Sequence, residues 1–243
     1  MRWGIDADIL LYSVGFAAED DPLSYALRSF RSACNGIMDA VRADGAELYV
    51  TGGGNYRIPL GCEAYPYKGN RKAEKPKHYA AIKQYAIEEL GAHLIEGEEA
   101  DDRLAIAACQ WGHGIATQDK DLYGVPGWHY NWKKGLLVNV SPEDADRWFY
   151  IQLLTGDKTD NIPGLFWRTG KKAMPKLLEP LQWMHDPADM YAHVRRVYEQ
   201  AYDSVGMCLD ERDAVLDDWL LRQGRQLWMR REEGQMWEFP TSG

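Results

Sequence analysis

Short apolar segments that alternate with helical patterns constrain the fold of this chain most. Four of them read as strands: Trp3–Ile5, Leu48–Val50, His93–Ile95 and Gly114–Thr117. Between them lie stretches in which apolar residues recur at three- and four-residue spacing, which predicts helices. Strands that alternate with helices favour parallel pairing. The sequence therefore predicts an α/β fold with a mainly parallel central sheet flanked by helices.

The pattern changes near residue 141. Ser141 and Pro142 form a good helix start, with a capping hydroxyl and a proline at the first helical position. From there the chain reads mostly helical, and a hairpin between Trp128–Trp132 and Leu136–Val140 closes the part before it. We therefore predict an α/β core over residues 1–140 and a helical lobe over residues 141–243, which packs on the core.

The most unusual local feature is the acidic segment Glu98-Glu99-Ala100-Asp101-Asp102, which stands directly before an apolar helical run. A helix start favours acids, because its free N–H groups and its dipole stabilise negative charge. Four carboxylates in five residues exceed what a cap needs. A solvated helix start and a site for a hard divalent cation both explain the segment.

The positions of the other acids favour the metal site. Asp6, the acidic segment and the pair Asp119 and Asp121 each follow a predicted strand. Ligands of parallel α/β folds bind at the carboxyl ends of the strands, where these acids would meet. Carboxylates without His or Cys suit Mg²⁺ or Mn²⁺ rather than zinc.

A basic stretch lies between the second and third strands. Residues 67–77 hold five basic side chains against one acid, in a chain with a net charge of −9. Lys and Arg there would contact phosphates without reading a base sequence. A solvated surface loop is the other interpretation of this composition.

Composition indicates in which cellular compartment the protein is expected. No apolar run reaches membrane-spanning length, and the first residues lack the layout of a signal peptide. The cysteines, which are widely spaced and lack metal-site spacing, are expected to be reduced: Cys34, Cys62, Cys109 and Cys208. We expect a cytoplasmic protein with no membrane partner.

Several motifs of the chain together resemble the 5′ nuclease family, which includes the 5′→3′ exonucleases of tailed bacteriophages, the flap endonucleases and the 5′ nuclease domain of bacterial DNA polymerase I. The similarity is greatest to the phage exonucleases. The matching motifs stand in the family's order: Asp6 after the first strand, Tyr67-Lys68-Gly69-Asn70-Arg71, Glu99-Ala100-Asp101-Asp102, Asp119-Lys120-Asp121-Leu122 and Gly156-Asp157-Lys158-Thr159-Asp160-Asn161-Ile162-Pro163-Gly164.

The resemblance implies a role for each matched acid. One metal would be held by Asp6, Glu99, Asp101 and Asp119, with Asp102 and Asp121 close by. Asp157 and Asp160 would hold a second metal, so two Mg²⁺ or Mn²⁺ sites are expected. Asp6 and Asp101 are also expected to be catalytic through the first metal.

The resemblance implies DNA contacts as well. Lys68 and Arg71 would contact the scissile phosphate and steer a single-stranded 5′ end, and Tyr67 would stack on a terminal base. The DNA-binding set is completed by Lys72, Arg168, Lys171 and Lys172. The lobe would contain a helix–three-turn–helix motif that holds duplex DNA.

The implied activity is metal-dependent hydrolysis of DNA from or near a 5′ end, as a 5′→3′ exonuclease, a flap endonuclease or both. Duplex and flap DNA are the expected partners, RNA:DNA hybrids stay open as substrates, and a monomer is expected. DNA replication is the implied setting, and the similarity to phage exonucleases points to a bacteriophage protein acting in the host cytoplasm.

Two positions depart from the family pattern. Gly52 stands where the family has an aspartate after the second strand, which leaves a water, Asp8 or Asn55 to take its place. In the lobe, Trp167 and Thr169 occupy positions that are glycine in the family, so a K⁺ site there is doubtful.

Two other functions compete with the nuclease. The missing acid at Gly52 is compatible with a DNA-binding protein of the same fold that has weakened catalysis. A haloacid-dehalogenase-type phosphatase would explain Asp6-Ala7-Asp8 and Gly156-Asp157, but this chain has Leu10 where that family has threonine or a similar residue. It would also leave the acidic segment without a role.

Overall fold

The computed structural model describes residues 1–72, 74–165, 173–203 and 209–240. Its contacts divide the chain into two compact units. Unit 1 comprises Met1–Asn55, Lys72–Ser141 and Met229–Gly234; unit 2 comprises Tyr56–Arg71, Pro142–Trp228 and Gln235–Gly243. The basic segment before Lys72 therefore groups with the helical part of the chain, and a short segment after Trp228 groups with the sheet.

The centre of unit 1 is a six-stranded sheet in the order β3-β2-β1-β4-β5-β6. The neighbouring pairs from β3 through to β5 are parallel, and only β5 and β6 pair antiparallel, as a hairpin. This confirms the mainly parallel sheet. The strands are β1 Arg2–Asp6, β2 Gly45–Thr51, β3 His93–Ile95, β4 Gly114–Ala116, β5 Gly127–Asn131 and β6 Leu136–Val140.

Helices cover this sheet because their apolar residues recur on one side. In α2 (Leu23–Val41) the buried residues are Ala26, Phe30, Cys34 and Ile37, which share one helical face. They pack with strand residues such as Ile5 and Val50 in one core cluster. The other helices of unit 1 are α1 Ala7–Ala17, α3 Tyr79–Leu90 and α4 Ala100–Trp111.

The acidic segment begins α4, as its sequence predicted. Glu99 is the N-cap, and a capping box links its side chain and that of Asp102 to the backbone of the first turn. Behind this start, Leu104, Ala105 and Ala107 are fully buried in a second core cluster of the unit. The capping box and the buried face of α4 together fix the position of the first turn, which carries the acidic side chains.

Unit 2 is helical and has a core of its own. It is built on α5 Pro142–Thr155, α6 Pro187–Asp203 and α7 Leu209–Leu227, with a short helical stretch at residues 173–178. The chain after α7 returns to this core, where Trp237 packs edge to face against Phe239 and lies beside Phe149. The predicted helix–three-turn–helix motif falls partly on residues 166–172, which lie outside the described residues.

Membrane-spanning helices and the state of the cysteines were also predicted from the sequence. Within the described part of the chain, no helix is long and apolar enough to cross a membrane. Cys34, Cys62 and Cys109 are free thiols, and burial raises the pKa of the Cys34 thiol to about 12. Cys208 lies outside the described residues.

Arg57 is a charged residue in the core of unit 2, which the sequence did not reveal. Its side chain is fully buried, and its guanidinium donates to the carbonyl oxygens of Gln226 at 2.9 Å and Trp228 at 2.7 Å. These carbonyls lie at and just after the end of α7, where backbone oxygens lack helical partners. Arg57 therefore fastens the chain before the basic segment to the end of α7.

We expect Arg57→Met to lower the stability of the protein by about 2–4 kcal/mol, because the carbonyls at the end of α7 lose charged donors in a buried place. Urea denaturation measures this loss. Arg222→Met is the matched control, since Arg222 forms an exposed ion pair with Asp218, which is worth about 1 kcal/mol or less. Equal losses for the two variants would contradict this role of Arg57.

Candidate active site

Carboxylates meet at the carboxyl edge of the sheet in unit 1. Asp6 is the last residue of β1, and the parallel register of Ile5 with Ala116 places the end of β4 beside it. The Asp6 side chain is 2% exposed, and it accepts hydrogen bonds from the Ile9 amide at 3.2 Å and the Thr117 hydroxyl at 2.7 Å. The end of β1 thus places a buried carboxylate at the start of α1.

Burial in acidic surroundings makes the Asp6 charge unfavourable. Burial raises the pKa of Asp6 from 3.8 to about 7, against a lowering by the Thr117 hydrogen bond, and Asp8 and Asp119 raise it further. Burial likewise raises the pKa of Asp8, to which Glu99 adds repulsion. Acids from β1, α1, the start of α4 and the turn after β4 therefore act on one another at this edge.

We expect Asp6→Asn to stabilise the protein in chelator at neutral pH. The unfolded protein loses the Asp6 proton near pH 4, whereas the folded protein holds it up to about pH 7. This carboxylate therefore costs stability increasingly from about pH 4 to pH 7, by up to about 4 kcal/mol.

Thermal unfolding from pH 4 to pH 8 in chelator measures this effect. The melting temperature of Asp6→Asn should match that of the wild type near pH 4 and exceed it increasingly up to pH 7. A difference that does not change with pH would contradict the raised pKa of the buried Asp6 carboxyl.

The four carboxylates of the acidic segment have different surroundings. Glu98 is 4% exposed and forms ion pairs with Arg103 at 2.6 Å and Arg230 at 2.7 Å. Asp102 is fully buried and accepts hydrogen bonds from the backbone amides of Arg230 at 3.1 Å and Glu99 at 3.4 Å. Both side chains are held by protein donors, so they anchor the start of α4.

The other two acids of the segment are better placed to bind a ligand. Glu99 accepts a 2.6 Å hydrogen bond from the side-chain amide of Asn55, which orients its carboxylate at the edge of the sheet. Asp101 lies in the first turn of α4 and is partly exposed.

The segment Met229–Gly234 is an unexpected part of unit 1. Besides the contacts of Arg230, the Arg231 guanidinium donates to the carbonyl of Gly124 at 3.1 Å, and the Gln110 side chain donates to the carbonyl of Arg231 at 3.1 Å. The segment therefore runs along α4 and ties its acidic start to the turn after β4. Arg230 lies 132 residues from Glu98 along the chain, so no local sequence pattern predicts this contact.

We expect Arg230→Gln to destabilise the protein by about 3–5 kcal/mol, because it leaves the buried Glu98 carboxylate with one cation fewer. The double variant Glu98→Gln/Arg230→Gln should lose less than the sum of the single variants, since their effects share one ion pair. Urea denaturation of all four proteins gives this comparison. Additive losses would contradict the coupling.

The turn after β4 holds the remaining acids of this edge. The Asp119 amide donates to the Thr117 hydroxyl at 2.9 Å, and the Asp119 carboxylate accepts from the Asp121 amide at 2.9 Å. Lys120 forms an ion pair with Asp121 at 2.9 Å. In the part of the chain that the structure describes, no three His, Cys, Asp or Glu side chains converge as a ready-made metal group. A shared cation would need these carboxylates to turn toward it.

In unit 2, the residues predicted to contact the scissile phosphate, Lys68 and Arg71, lie against the loop of residues 156–164. Asp160 accepts a hydrogen bond from the Tyr67 hydroxyl at 2.8 Å and pairs with the Lys68 ammonium at 3.7 Å and the Arg71 guanidinium. The Asn70 side chain donates to the Lys158 carbonyl at 2.7 Å. Two cations and one carboxylate are thus fixed in a single cluster.

The loop itself depends on its two end glycines. Gly156 and Gly164 have φ values of +68° and +57°, and a Cβ on Gly156 would stand 2.6 Å from the Gly164 nitrogen. Inside the loop, the buried Asp157 carboxylate accepts from the Thr159 amide at 2.6 Å. The glycines therefore let the backbone cross closely, and the crossing presents Asp157 and Asp160 from one turn.

Tyr67 is placed differently from its expected role. The side chain is 7% exposed, belongs to the core of unit 2 and has the Lys68 ammonium 5.1 Å from its ring centre. Stacking on a DNA base, as the resemblance implied, would require this ring to be uncovered. In the structure Tyr67 supports Asp160 and Lys68.

Comparisons with known proteins identify the fold. No protein-family model matches the chain. A structure of zinc-bound T5 5′-exonuclease matches over 92% of this chain and 100% of that one, with a TM-score of 0.52 and 16% identity. The Rad2 catalytic core in complex with DNA substrate matches over 98% of this chain and 83% of that one, with a TM-score of 0.51 and 16% identity.

The chain has the 5′ nuclease fold. This confirms the predicted resemblance and the α/β fold class. In sequence, the chain is 34% identical over 144 residues to the thermostable DNA polymerase I of Thermus aquaticus. That match covers 48% of this chain and 16% of the polymerase.

Within the 5′ nuclease fold, unit 1 carries Asp6, Glu99, Asp101, Asp119 and Asp121, and unit 2 carries Lys68, Arg71, Asp157 and Asp160. Lys72 is exposed at the start of a segment of unit 1. The predicted DNA contacts Arg168, Lys171 and Lys172, and the doubtful K⁺ site around Trp167 and Thr169, lie outside the described residues.

The residues that hold the acids in place were not predicted from the sequence. Thr117 bonds Asp6 and the Asp119 amide, and Asn55 bonds Glu99. Thr117 directly follows the apolar strand β4 and stands two residues before Asp119. This position predicts a hydroxyl at the carboxyl edge of the sheet, close to the acids. Arg230 gave no comparable signal, because its partners are remote in sequence.

Proposed function

We propose that this protein is a divalent-metal-dependent 5′ nuclease, which hydrolyses DNA phosphodiesters from or near a 5′ end. The observation that carries the proposal is the set of interacting carboxylates at the carboxyl edge of a 5′ nuclease fold. The similarity of the fold to 5′ nuclease structures and the order of the sequence motifs both support it.

The acids fit a hard cation by their chemistry. The proposed donors of the first site are carboxylate oxygens from Asp6, Glu99, Asp101 and Asp119, which suit Mg²⁺ or Mn²⁺. Asp6 is buried and Asp8 is half-buried, with like charges nearby, so a cation there would offset both the burial and the repulsion of these carboxylates. Asp102 and Asp121 would support this site, and Asp157 and Asp160 would form the second. A bound metal would supply Lewis-acid activation of water and of the phosphodiester.

The protein's own residues would then act on the DNA. Lys68 and Arg71 both form ion pairs with Asp160. The two cations would therefore be preorganised to bind a phosphate. Lys72 would contact a neighbouring phosphate of the DNA backbone. We assign Arg168, Lys171 and Lys172 to duplex binding on the resemblance alone.

The substrate follows from these assignments. Rad2, a protein of the same fold, has been captured with a DNA substrate. We propose DNA with a free 5′ end, as duplex or as flap, for a monomeric enzyme. RNA:DNA hybrids belong in the same substrate test.

Cleavage of 5′-labelled blunt duplex and 5′-flap DNA tests the proposal, with Mg²⁺, Mn²⁺ or chelator. We expect metal-dependent release of mono- or short oligonucleotides. Asp101→Asn and Asp157→Asn should each lower the rate by about 100-fold or more, because each removes a charge from a metal site. Asp20→Asn, at an exposed acid, is the matched control and should cleave at the wild-type rate. Wild-type rates for both site variants would overturn the assignment.

The absence of a side chain at Gly52 favours a second candidate. A DNA-binding protein of this fold with weakened catalysis would bind the flap substrate under every metal condition and cleave it under none. The same assay separates the two candidates, provided that binding is measured beside cleavage.

A further inference from the structure

The end of β2 cannot accommodate the carboxylate that the family pattern places there. A Cβ on Gly52 would stand 2.6 Å from the Glu96 carboxyl carbon and 2.7 Å from the Ile95 carbonyl oxygen. The first contact involves a flexible side chain, but the second involves the backbone of the neighbouring strand. An acid at position 52 would therefore require the backbone to move, so the site must obtain its charge elsewhere.

Glu96 occupies this space but serves the backbone. Its carboxylate accepts a 2.6 Å hydrogen bond from the Gly53 amide, and the Gly97 amide donates to the Gly53 carbonyl at 2.8 Å. Glu96 is exposed. These bonds fasten the loop after β2 to the loop after β3.

Asp8 contacts the end of β2 from α1. It stands in the first turn of α1, and its carboxylate accepts a 3.0 Å hydrogen bond from the amide of Thr51, the last residue of β2. The Thr51 hydroxyl in turn accepts from the Ala100 amide at 2.9 Å. One residue therefore joins Asp8 to the backbone at the start of α4, next to Glu99.

The position of Asp8 at the start of α1 places it beside the proposed metal ligands. Asp6 is the N-cap of this helix, and Asp8 lies in its first turn. Lys83, on α3, donates from its ammonium to the Thr51 carbonyl at 2.6 Å. Asp8 therefore shares a helix start with Asp6, and through Thr51 it is connected to the residue that follows Glu99.

We propose that Asp8 supplies the carboxylate that the end of β2 lacks, as a metal-binding residue together with Asp6 and Glu99. The inference rests on the proposed function, since it names a further residue of the same site. The side-chain hydrogen bond to Thr51 makes the substitution possible, because it fixes a carboxylate from α1 over the strand end that Gly52 leaves bare. Asn55, the other residue that could have filled this place, has its side-chain amide on Glu99.

Mn²⁺ titration of the protein with the sequence given, followed by electron paramagnetic resonance of the free ion, tests this inference. Asp8→Asn should weaken Mn²⁺ binding by about tenfold or more, because affinity at a carboxylate site depends on the number of charged ligands. Asp20→Asn removes the same charge from an exposed position near α1 and should bind as the wild type does. Glu96→Gln keeps an acceptor for the Gly53 amide and should also bind as the wild type does.

A second readout distinguishes a ligand from a nearby charge. At saturating Mn²⁺, water-proton relaxation should detect one more water on the ion in Asp8→Ala than in the wild type. Melting in chelator serves as the folding check, and Asp8→Asn should melt close to the wild type because asparagine keeps an acceptor for the Thr51 amide. If Asp8→Asn proves unfolded, Asp8→Ser gives the same comparison with a smaller side chain.

Unchanged Mn²⁺ affinity in Asp8→Asn, or a loss in Glu96→Gln alone, would overturn the assignment to Asp8. The proposed function would survive either result, since the wild type would still bind metal and cleave DNA. Failure of the wild type to bind Mn²⁺ at all would instead overturn the metal site itself.

Discussion

Repulsion between carboxylates at one edge of a parallel sheet is the constraint on which unit 1 depends. Parallel strands end together, so acids that end β1, follow β4 and precede α4 place several negative charges at one edge of the sheet. Asp6 shows the result most clearly, because burial and its acidic neighbours raise its pKa to about 7. This arrangement lowers the stability of the fold, so stability does not explain it.

The structure divides these acids by the donors that surround them. Glu98 and Asp102 are buried against Arg103 and Arg230, and their charges or lone pairs are satisfied by the protein. Asp6 and Glu99 have neutral donors from Thr117 and Asn55, which orient a carboxylate without cancelling its charge. The anchoring acids thus fix the start of α4, and the oriented acids keep negative charge for a cation.

Unit 2 solves the opposite problem, which is to hold cations close together. Lys68 and Arg71 repel one another, and Asp160 balances both. The crossing of Gly156 and Gly164 presents Asp160 and the buried Asp157 from one short loop. The segment of residues 156–164, one of the motifs that resemble the 5′ nuclease family, therefore needs its glycines for steric reasons.

Local patterns predicted much of this architecture. The parallel strands, the capped start of α4 and the β5–β6 hairpin follow from residue spacing and cap chemistry, which act over a few residues. Contacts between remote segments did not follow, because periodicity carries no information on them. Arg57 at the end of α7, Arg230 on Glu98 and Asp8 on Thr51 are the clearest cases. The place of Glu96 beside Gly52 likewise needed the register of β2 and β3.

The most direct test of the central claim is a crystal of the wild-type protein soaked in Mn²⁺, with anomalous scattering measured at the manganese edge. The account predicts an anomalous peak among Asp6, Asp8, Glu99, Asp101 and Asp119. Peaks confined to exposed acids elsewhere, with none at this edge of the sheet, would contradict it.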